Sequence, residues 1–299
     1  MAVEILQNAG PSGIDIAYER FGDPSYPALL LIMGAGAQMI SWPDEFCKML
    51  VNQGFQVIRF DSRDTGLTTH FSDTVIPDFA AVMAGDYTTV SYTLSDMAAD
   101  TIGLMDGLGI ESFHLIGASM GGMIAQTIAI EYPFKILSLT SIMSTTGSNS
   151  VGQPDYAILG SLGAPPSDDR QKFIEWKIKS LKAVGSPGFP FDEESAIKNA
   201  GIGWDRDHDP LGMTRQAVAV LKSGDRTDQL RKLRLPALVI HGTSDKMIDV
   251  SGGIATANSI PGAKLVLFEG MGHSLPQPLW EKMTDLISRL ILQSEHVDK

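Results

Sequence analysis

Cysteine is the scarcest residue of this sequence, because Cys47 is the only one among 299 residues. A single thiol excludes an intramolecular disulfide and a cysteine-rich metal cluster, so the fold does not require an oxidising compartment. No apolar run approaches the roughly 20 residues that span a bilayer. The first ten residues include Glu4 and lack a basic segment followed by an apolar one, which argues against a signal peptide. We therefore expect a cytoplasmic protein with no membrane partner.

Basic side chains are also in the minority, with 23 Lys and Arg against 35 Asp and Glu, and a formal net charge of -12. Such a chain offers no basic surface for a phosphate backbone, so we expect no nucleic-acid partner. Hydrophobic residues make up 43% and charged residues 19% of the chain, as in ordinary folded domains. The length allows one large domain or two modest ones and leaves the oligomeric state open.

Short apolar runs alternate along the chain with helix signals. The runs are typical of strands buried on both faces; they are Ala28 to Met33, Phe55 to Phe60, Leu115 and Ile116, Ile136 to Met143, Ala237 to Ile240, and Leu265 to Phe268. Ile14 to Tyr18 instead alternate with polar residues, which predicts a half-exposed strand at a sheet edge. This order predicts an α/β fold with a mostly parallel central sheet flanked by helices.

Helix starts are marked by a hydroxyl residue followed three positions later by an acid, the pattern of a capping box. Ser41 with Asp44 and Thr93 with Asp96 have this spacing. A further helix is expected to begin at Ser119 and to end before Pro133.

The strand and helix alternation breaks between Gly147 and about Asp228, where glycine, proline and serine separate short helical stretches. We interpret residues 147–228 as a helical cap inserted over the carboxyl end of the sheet. Residues 1–146 and 229–299 then form the core domain.

Gly117-Ala118-Ser119-Met120-Gly121 has the pattern Gly-X-Ser-X-Gly between an apolar strand and a helix. A tight turn of this kind needs small residues around the serine and exposes its hydroxyl above the sheet edge. The pattern alone is weak, since a serine in a glycine-rich turn often only caps a helix. Its position between strand and helix makes Ser119 a candidate nucleophile.

A serine nucleophile needs a base, and His273 is the histidine best placed to supply it. It follows the predicted strand Leu265 to Phe268 in the glycine-rich segment Gly270 to Gly272. His241 ends another strand, where a packed or hydrogen-bonded role is more common. The remaining histidines lie in a strand, in the cap, in the tail or in a loop without a clear position; they are His114, His208, His296 and His70.

The base needs a carboxylate to orient it, and Asp245 follows the strand Ala237 to Ile240 at the same predicted edge. Asp249, four residues further on, is the main rival. The chain order Ser119, Asp245, His273 is an order in which nucleophile, acid and base follow one another in folds of this class. Backbone N–H groups of Met120 and of Ala35, in the loop after Met33, are predicted to stabilise an oxyanion.

In these segments the chain resembles the α/β-hydrolase superfamily, and within it the bacterial carboxylesterase group that includes aclacinomycin methylesterase. The resemblance covers most of the core and only SPGFPFDEES and LKSGDRTDQLRKL of the cap; the core segments are LLLIMGAGAQMISWPDEF, VIRFDSRDTGLT, LIGASMGGMIAQ, LVIHGTSDKMID and EGMGHSLP. It implies the α/β-hydrolase fold, a Ser-Asp-His triad, two backbone oxyanion donors, no cofactor and ester hydrolysis. We expect the substrates to be small to medium, largely apolar esters. Two departures are Met33, where many relatives have histidine, and Lys246, where proline often follows the acid.

Other activities of the same serine chemistry stay open: methylesterase, lactonase, thioesterase, carbon–carbon hydrolase and perhydrolase. A non-catalytic binding protein on the same fold is a further alternative. Gly34-Ala35-Gly36 after a strand superficially fits a dinucleotide-binding oxidoreductase, but Met39 replaces the third glycine of that motif. Asp205, Asp207, His208 and Asp209 could suggest a metal, yet such closely spaced charges more often form a solvated loop, so we expect no metal.

Overall fold

The apolar runs form most of an eight-stranded sheet in the computed structural model, which describes residues 2–294. The strands are β1 (Glu4–Ala9), β2 (Ile14–Phe21), β3 (Ala28–Ile32), β4 (Gln56–Phe60), β5 (Phe113–Ala118), β6 (Ile136–Ile142), β7 (Ala237–Gly242) and β8 (Lys264–Phe268). They lie in the order β1-β2-β4-β3-β5-β6-β7-β8. β1 and β2 pair antiparallel, as do β2 and β4, and all other pairs are parallel. The predicted mostly parallel sheet is confirmed.

Both edges of the sheet differ from the prediction. β2 is not an edge, because β1 pairs with it on one side and β4 on the other. β8 is the opposite edge, and Leu265 and Leu267 are 37% and 41% exposed there. Side-chain pattern reports which faces of a strand are covered, whereas edge position depends on which strand pairs next to it.

Helices cover the sheet on both faces. They are α1 (Asp44–Asn52), α2 (Phe79–Met83), α3 (Leu94–Gly107), α4 (Met120–Glu131), α5 (Tyr156–Leu162), α6 (Arg170–Val184), α7 (Glu193–Arg206), α8 (Gly212–Ser223), α9 (Thr227–Leu230), α10 (Ser251–Ser259) and α11 (Trp280–Ser294). In β3, Leu30 and Ile32 join the apolar cluster that contains α3 and α4, and Leu29 and Leu31 join the one that contains α1 and α11. The continuous apolar run of this strand thus supplies two cores, one on each face.

Of the two predicted capping boxes, the structure confirms the one at Thr93 and not the one at Ser41. Thr93 and Asp96 form a capping box at α3, in which each side chain accepts a hydrogen bond from the other residue's N–H. Ser41 instead ends the short 3-10 helix Met39–Ser41, and α1 begins at Asp44 with Pro43 as its N-cap. Pro43 has extended backbone angles, φ -62° and ψ 145°, so the helix cannot start at Ser41.

The helices α5 to α9 lie between β6 and β7, in the region of the predicted cap. α6 and α7 pack on each other through Ile174, Ile178 and Ala200, a small cluster separate from the two beneath and above the sheet. Within residues 2–294, no helix combines the length and apolarity needed to cross a bilayer.

Candidate active site

The turn from β5 to α4 holds Ser119 in a strained conformation. Its φ is 58° and its ψ is -124°, and positive φ is uncommon for a residue other than glycine. A Cβ added at Gly117 would lie 2.2 Å from the carbonyl oxygen of Gly121, and one added at Gly121 would lie 2.1 Å from that of Ile32. The glycines of the motif are therefore required by close backbone packing. They leave the Ser119 side chain at the carboxyl end of the sheet, partly accessible.

His273 reaches this serine from the loop after β8. Its Nε2 lies 2.9 Å from Ser119 Oγ. The backbone N–H of His273 donates to the carbonyl oxygen of Val184, at 2.7 Å, and the N–H of Gly272 donates to Ser186 Oγ, at 3.0 Å. The end of α6 and the residues after it therefore position the histidine loop.

Asp245 contacts the other side of the imidazole. Its Oδ2 lies 2.8 Å from His273 Nδ1, while its Oδ1 accepts the N–H groups of Met247 and Ile248, both at 2.9 Å. Burial alone would raise the pKa of this carboxyl, but hydrogen bonds from His241 and His273, together with the charge of His273, hold the pKa below its usual value. The carboxylate is thus ionised throughout the neutral range and is an acceptor for the histidine.

The rival acid, Asp249, does not share these contacts. It is exposed, and its carboxylate accepts the N–H of Ser251 at 3.0 Å. The contacts of His273 within the described residues therefore involve Asp245 and not Asp249.

His241 has a role that the sequence did not indicate. It is fully buried at the end of β7 and its Nε2 lies 2.9 Å from the carbonyl oxygen of Ile248, which fits the packed, hydrogen-bonded histidine we expected. The same nitrogen is 3.5 Å from Asp245 Oδ2. His241 therefore contacts both the Asp245 carboxylate and the loop that follows Asp245.

The other described histidines contact groups other than Ser119. His114 is buried in β5, and burial lowers its pKa to about 4. His70, whose position the sequence did not indicate, contacts Asp209, and His208 is stacked on Trp204. His296 lies outside the described residues.

The loop after β3 passes directly beside Ser119. A Cβ added at Gly34 would be 2.9 Å from the Cβ of Ser119. The backbone of Ala35 follows, and Met120 is the first residue of α4, where N–H groups have no partner within the helix. Within residues 2–294, neither of these two N–H groups donates to a protein acceptor. Both predicted donors thus flank the serine.

Gln216 was missed by the sequence reasoning. It is fully buried on α8, its Oε1 accepts the N–H of Gly36 at 2.8 Å, and its Nε2 donates to Arg63 O and Thr65 Oγ1, both at 2.7 Å. One amide therefore joins α8 to the loop after β3 and to the loop after β4. The position of Gln216 beside the apolar stripe of α8 was the only sign in the sequence that its side chain is buried. Helix periodicity does not predict which groups a buried glutamine hydrogen-bonds.

Charged residues join the predicted cap to the core around the same site. Arg206 pairs with Asp61, and its Nε donates to Gln38 Oε1 at 2.8 Å. Arg215 pairs with both Asp64 and Asp209. These contacts tie α7 and α8 to the loops after β3 and β4.

The acidic segment 205–209 is only in part the solvated loop that we expected, because Asp205 and His208 are exposed but Asp207 and Asp209 contact the core. Asp207 accepts the N–H of Gly66, at 3.0 Å, and Asp209 is held by His70 and Arg215. Asp64, His70 and Asp209 present ligand-type atoms within 4.8 Å of one another. The guanidinium of Arg215 contacts the carboxylates of both Asp64 and Asp209. The positive charge that balances this cluster is therefore supplied by Arg215.

Comparison with known proteins agrees with this geometry. The family described as alpha/beta hydrolase fold matches residues 27–276. Rhodomycin D methylesterase DnrP of Streptomyces peucetius is 28% identical over 292 residues, which are 90% of this chain and 92% of that protein. Rhodomycin D methylesterase DauP of Streptomyces sp. strain C5 is 26% identical over the same shares of both chains.

A solved structure shares the fold at lower sequence identity. Esterase RhEst1 from Rhodococcus sp. ECU1013 superposes with a TM-score of 0.71 and 20% identity, covering 99% of each chain. The family match and the methylesterase relatives support the predicted resemblance and the interpretation of the chain as an ester hydrolase.

Proposed function

Because this chain belongs to the α/β-hydrolase fold family, we propose that it hydrolyses carboxylic esters through an acyl-enzyme formed on Ser119. His273 is the general base and Asp245 the carboxylate that orients it. The substrates are small to medium, largely apolar esters, and the reaction requires no cofactor. The observation that carries this proposal is the unbroken line of contacts from Asp245 Oδ2 to His273, 2.8 Å, and from His273 to Ser119 Oγ, 2.9 Å.

These contacts support one direction of proton transfer. Asp245 accepts the Nδ1–H of His273, which leaves the lone pair of Nε2 facing the Ser119 hydroxyl. As the serine oxygen attacks the ester carbonyl, Nε2 takes the hydroxyl proton. The same proton passes to the departing alcohol when the carbon–oxygen bond breaks. A water molecule, deprotonated in turn by His273, then releases the carboxylic acid and restores the serine.

Negative charge on the carbonyl oxygen develops beside the N–H groups of Ala35 and Met120. The Met120 group also lies at the positive end of α4. Gln216 supports this arrangement, since it holds Gly36, the residue after Ala35. The same donors act in both the acylation and the deacylation step.

The helices of residues 147–228 serve as the cap over this site. Contacts from Val184 and Ser186 to the histidine loop, and from Gln216 to the loop after β3, support that role. A segment that touches both sides of the reacting serine shapes the space that the substrate occupies.

The test is hydrolysis of p-nitrophenyl acetate by wild type and by Ser119→Ala. A triad that acts as a unit loses about 10⁶ in kcat without its nucleophile. Ser112→Ala, at an exposed serine before β5, is the matched control and retains the wild-type rate. Equal rates for Ser119→Ala and wild type would refute the proposal.

A further inference from the structure

The loop that carries His273 is held by two different parts of the chain. Up to Met271 it is held by the turn after β7. There the N–H of Ser244 donates to the carbonyl oxygen of Met271 at 2.9 Å, and the N–H of Gly270 donates to a hydroxyl of the same turn at 3.1 Å. From the next residue onward, the hydrogen bonds of the loop go to residues 184–188 at the end of α6, which we call the cap segment.

The cap segment bonds the loop on both sides of the histidine. Ser186 Oγ accepts the N–H of Gly272 at 3.0 Å and lies 2.7 Å from Ser274 Oγ. Between these two contacts, the N–H of His273 donates to the carbonyl oxygen of Val184 at 2.7 Å. The single hydroxyl of Ser186 therefore contacts both the residue before His273 and the residue after it.

The cap segment also packs against the loop with no space for further side-chain atoms. The N–H of Gly188 donates to the carbonyl oxygen of Gly270 at 2.9 Å. A Cβ added at Gly188 would lie 2.8 Å from the Cα of Gly270, and one added at Gly272 would lie 1.9 Å from the carbonyl oxygen of Gly185. Because packed backbones at these distances cannot shift independently, the position of the cap segment determines the position of the loop.

The three residues of the proposed triad therefore depend on different parts of the chain for their positions. The N–H of Ser119 donates to the carbonyl oxygen of Ile142, in β6, at 2.9 Å, and Asp245 accepts two N–H groups of the residues that follow it. His273 instead donates its N–H to the cap segment. Its Nε2 is 2.9 Å from Ser119 Oγ, and a misplacement of about 1 Å between reacting groups can lower a rate about a hundredfold.

We propose that Ser186 is a positioning residue for the base, through which the cap segment holds His273 within reach of Ser119. This proposal rests on the ester hydrolysis proposed above. It gives the cap segment a part in acyl transfer from every ester, whatever its size. A segment that only shapes the space for the substrate would instead affect esters according to their size.

Two variants disturb the cap segment in different ways. Ser186→Ala removes the acceptor of the Gly272 N–H, and Gly188→Ala places a Cβ against Gly270. We expect each variant to lower kcat/KM for p-nitrophenyl acetate by about tenfold or more. The butyrate and hexanoate esters should lose activity by the same factor, because the base serves every ester and does not bind the acyl chain. Unchanged kcat/KM in either variant, or losses that vary with acyl length, would overturn the proposal.

Each variant has a matched control in the same region. Ser180→Ala removes a half-buried hydroxyl of α6 that bonds the carbonyl oxygen of Trp176, in its own helix, at 2.9 Å. Gly160→Ala adds a Cβ on α5 where, among residues 2–294, no heavy atom outside the backbone of that helix lies within 4 Å. Both controls should keep the wild-type kcat/KM. Thermal melts of all four variants show whether a loss of activity reflects unfolding, and if one cap-segment variant does not fold, the other decides.

A measurement without substrate separates this proposal from the proposed function. The Nδ1–H of His273 donates to Asp245, 2.8 Å away, and this charge-assisted hydrogen bond can be followed by the NMR resonance of its proton. We expect the resonance, assigned by its absence from His273→Gln, to be lost or broadened in Ser186→Ala and unchanged in Ser180→Ala. If this result is found and wild type does not hydrolyse esters, the proposed function fails and the role of Ser186 stands. If esters are hydrolysed and Ser186→Ala changes neither the resonance nor kcat/KM, the role of Ser186 fails alone.

Discussion

Replacing Asp245 by asparagine tests the link between the carboxylate and the base. The change preserves size, and the amide oxygen can still accept the N–H groups of Met247 and Ile248, which lie 2.9 Å from Oδ1. The atom that replaces Oδ2 is then an NH₂ group, 2.8 Å from His273 Nδ1. Because this group donates, the imidazole must accept with Nδ1 and carry its proton on Nε2.

The wrong tautomer blocks the reaction at its first step. With a proton on Nε2, His273 cannot take the proton of Ser119 Oγ, 2.9 Å away. An asparagine at this position in a serine protease triad lowers kcat by about 10⁴. That corresponds to about 5.5 kcal/mol of lost transition-state stabilisation. We expect a loss of the same order in kcat for p-nitrophenyl acetate.

The matched control is Asp249→Asn, which removes an exposed carboxylate of the same loop that bonds Ser251. We expect its kcat to stay within about threefold of wild type, because Asp249 does not touch the base. Thermal melts of both variants show whether either loss reflects unfolding. If Asp245→Asn keeps more than a tenth of wild-type kcat, or if Asp249→Asn is equally impaired, Asp245 is not the orienting acid.

Two further predictions concern residues outside the triad. Gln216→Leu leaves the N–H of Gly36 without its acceptor, so kcat/KM for p-nitrophenyl acetate should fall at least tenfold. Gln216→Glu can still accept this hydrogen bond and should recover part of the lost activity. Equal losses in the two variants would argue against a role for the contact. The second concerns His114, whose pKa is lowered to about 4 by burial. The unfolded chain takes up a proton below about pH 6.5 that the folded protein does not, so about 3 kcal/mol of stability is lost as pH falls from 6.5 to 4. In urea melts across this range, wild type should lose about 3 kcal/mol relative to His114→Asn as pH falls. Parallel curves would contradict the assignment.

The residues of the candidate site could be predicted from the sequence because parallel strands end at the same edge of a sheet. Each of β5, β7 and β8 ends at the same edge of the sheet, so a residue just after one strand lies near residues just after its neighbours. Ser119, Asp245 and His273 each follow such a strand, and the structure brings the three side chains into contact. The choice of Asp245 over Asp249 followed from its position in the turn. The fold class and the family resemblance are confirmed by the match over residues 27–276 and by the methylesterase relatives.

The hydrogen-bond partners of buried polar side chains could not be predicted from the sequence pattern. Gln216 contacts Gly36, 180 positions away in the chain, and helix periodicity predicts only which face of α8 is buried. The same holds for His241, whose contact with Asp245 depends on how the chain turns after β7. The positions of β1 and β8 at the edges depended on strand pairing, which an apolar pattern does not encode.

Local pattern in the sequence thus determined the elements of this protein, the tight turn at Ser119 and the candidate residues of the site. Hydrophobic periodicity and glycine sterics act over a few residues, so they can be recognised without knowledge of the rest of the chain. Only the tertiary structure decided which helices contact the histidine loop and the loop after β3. Those contacts join segments far apart in the chain, and they exist only because the packing of two helical layers on one sheet brings the segments together.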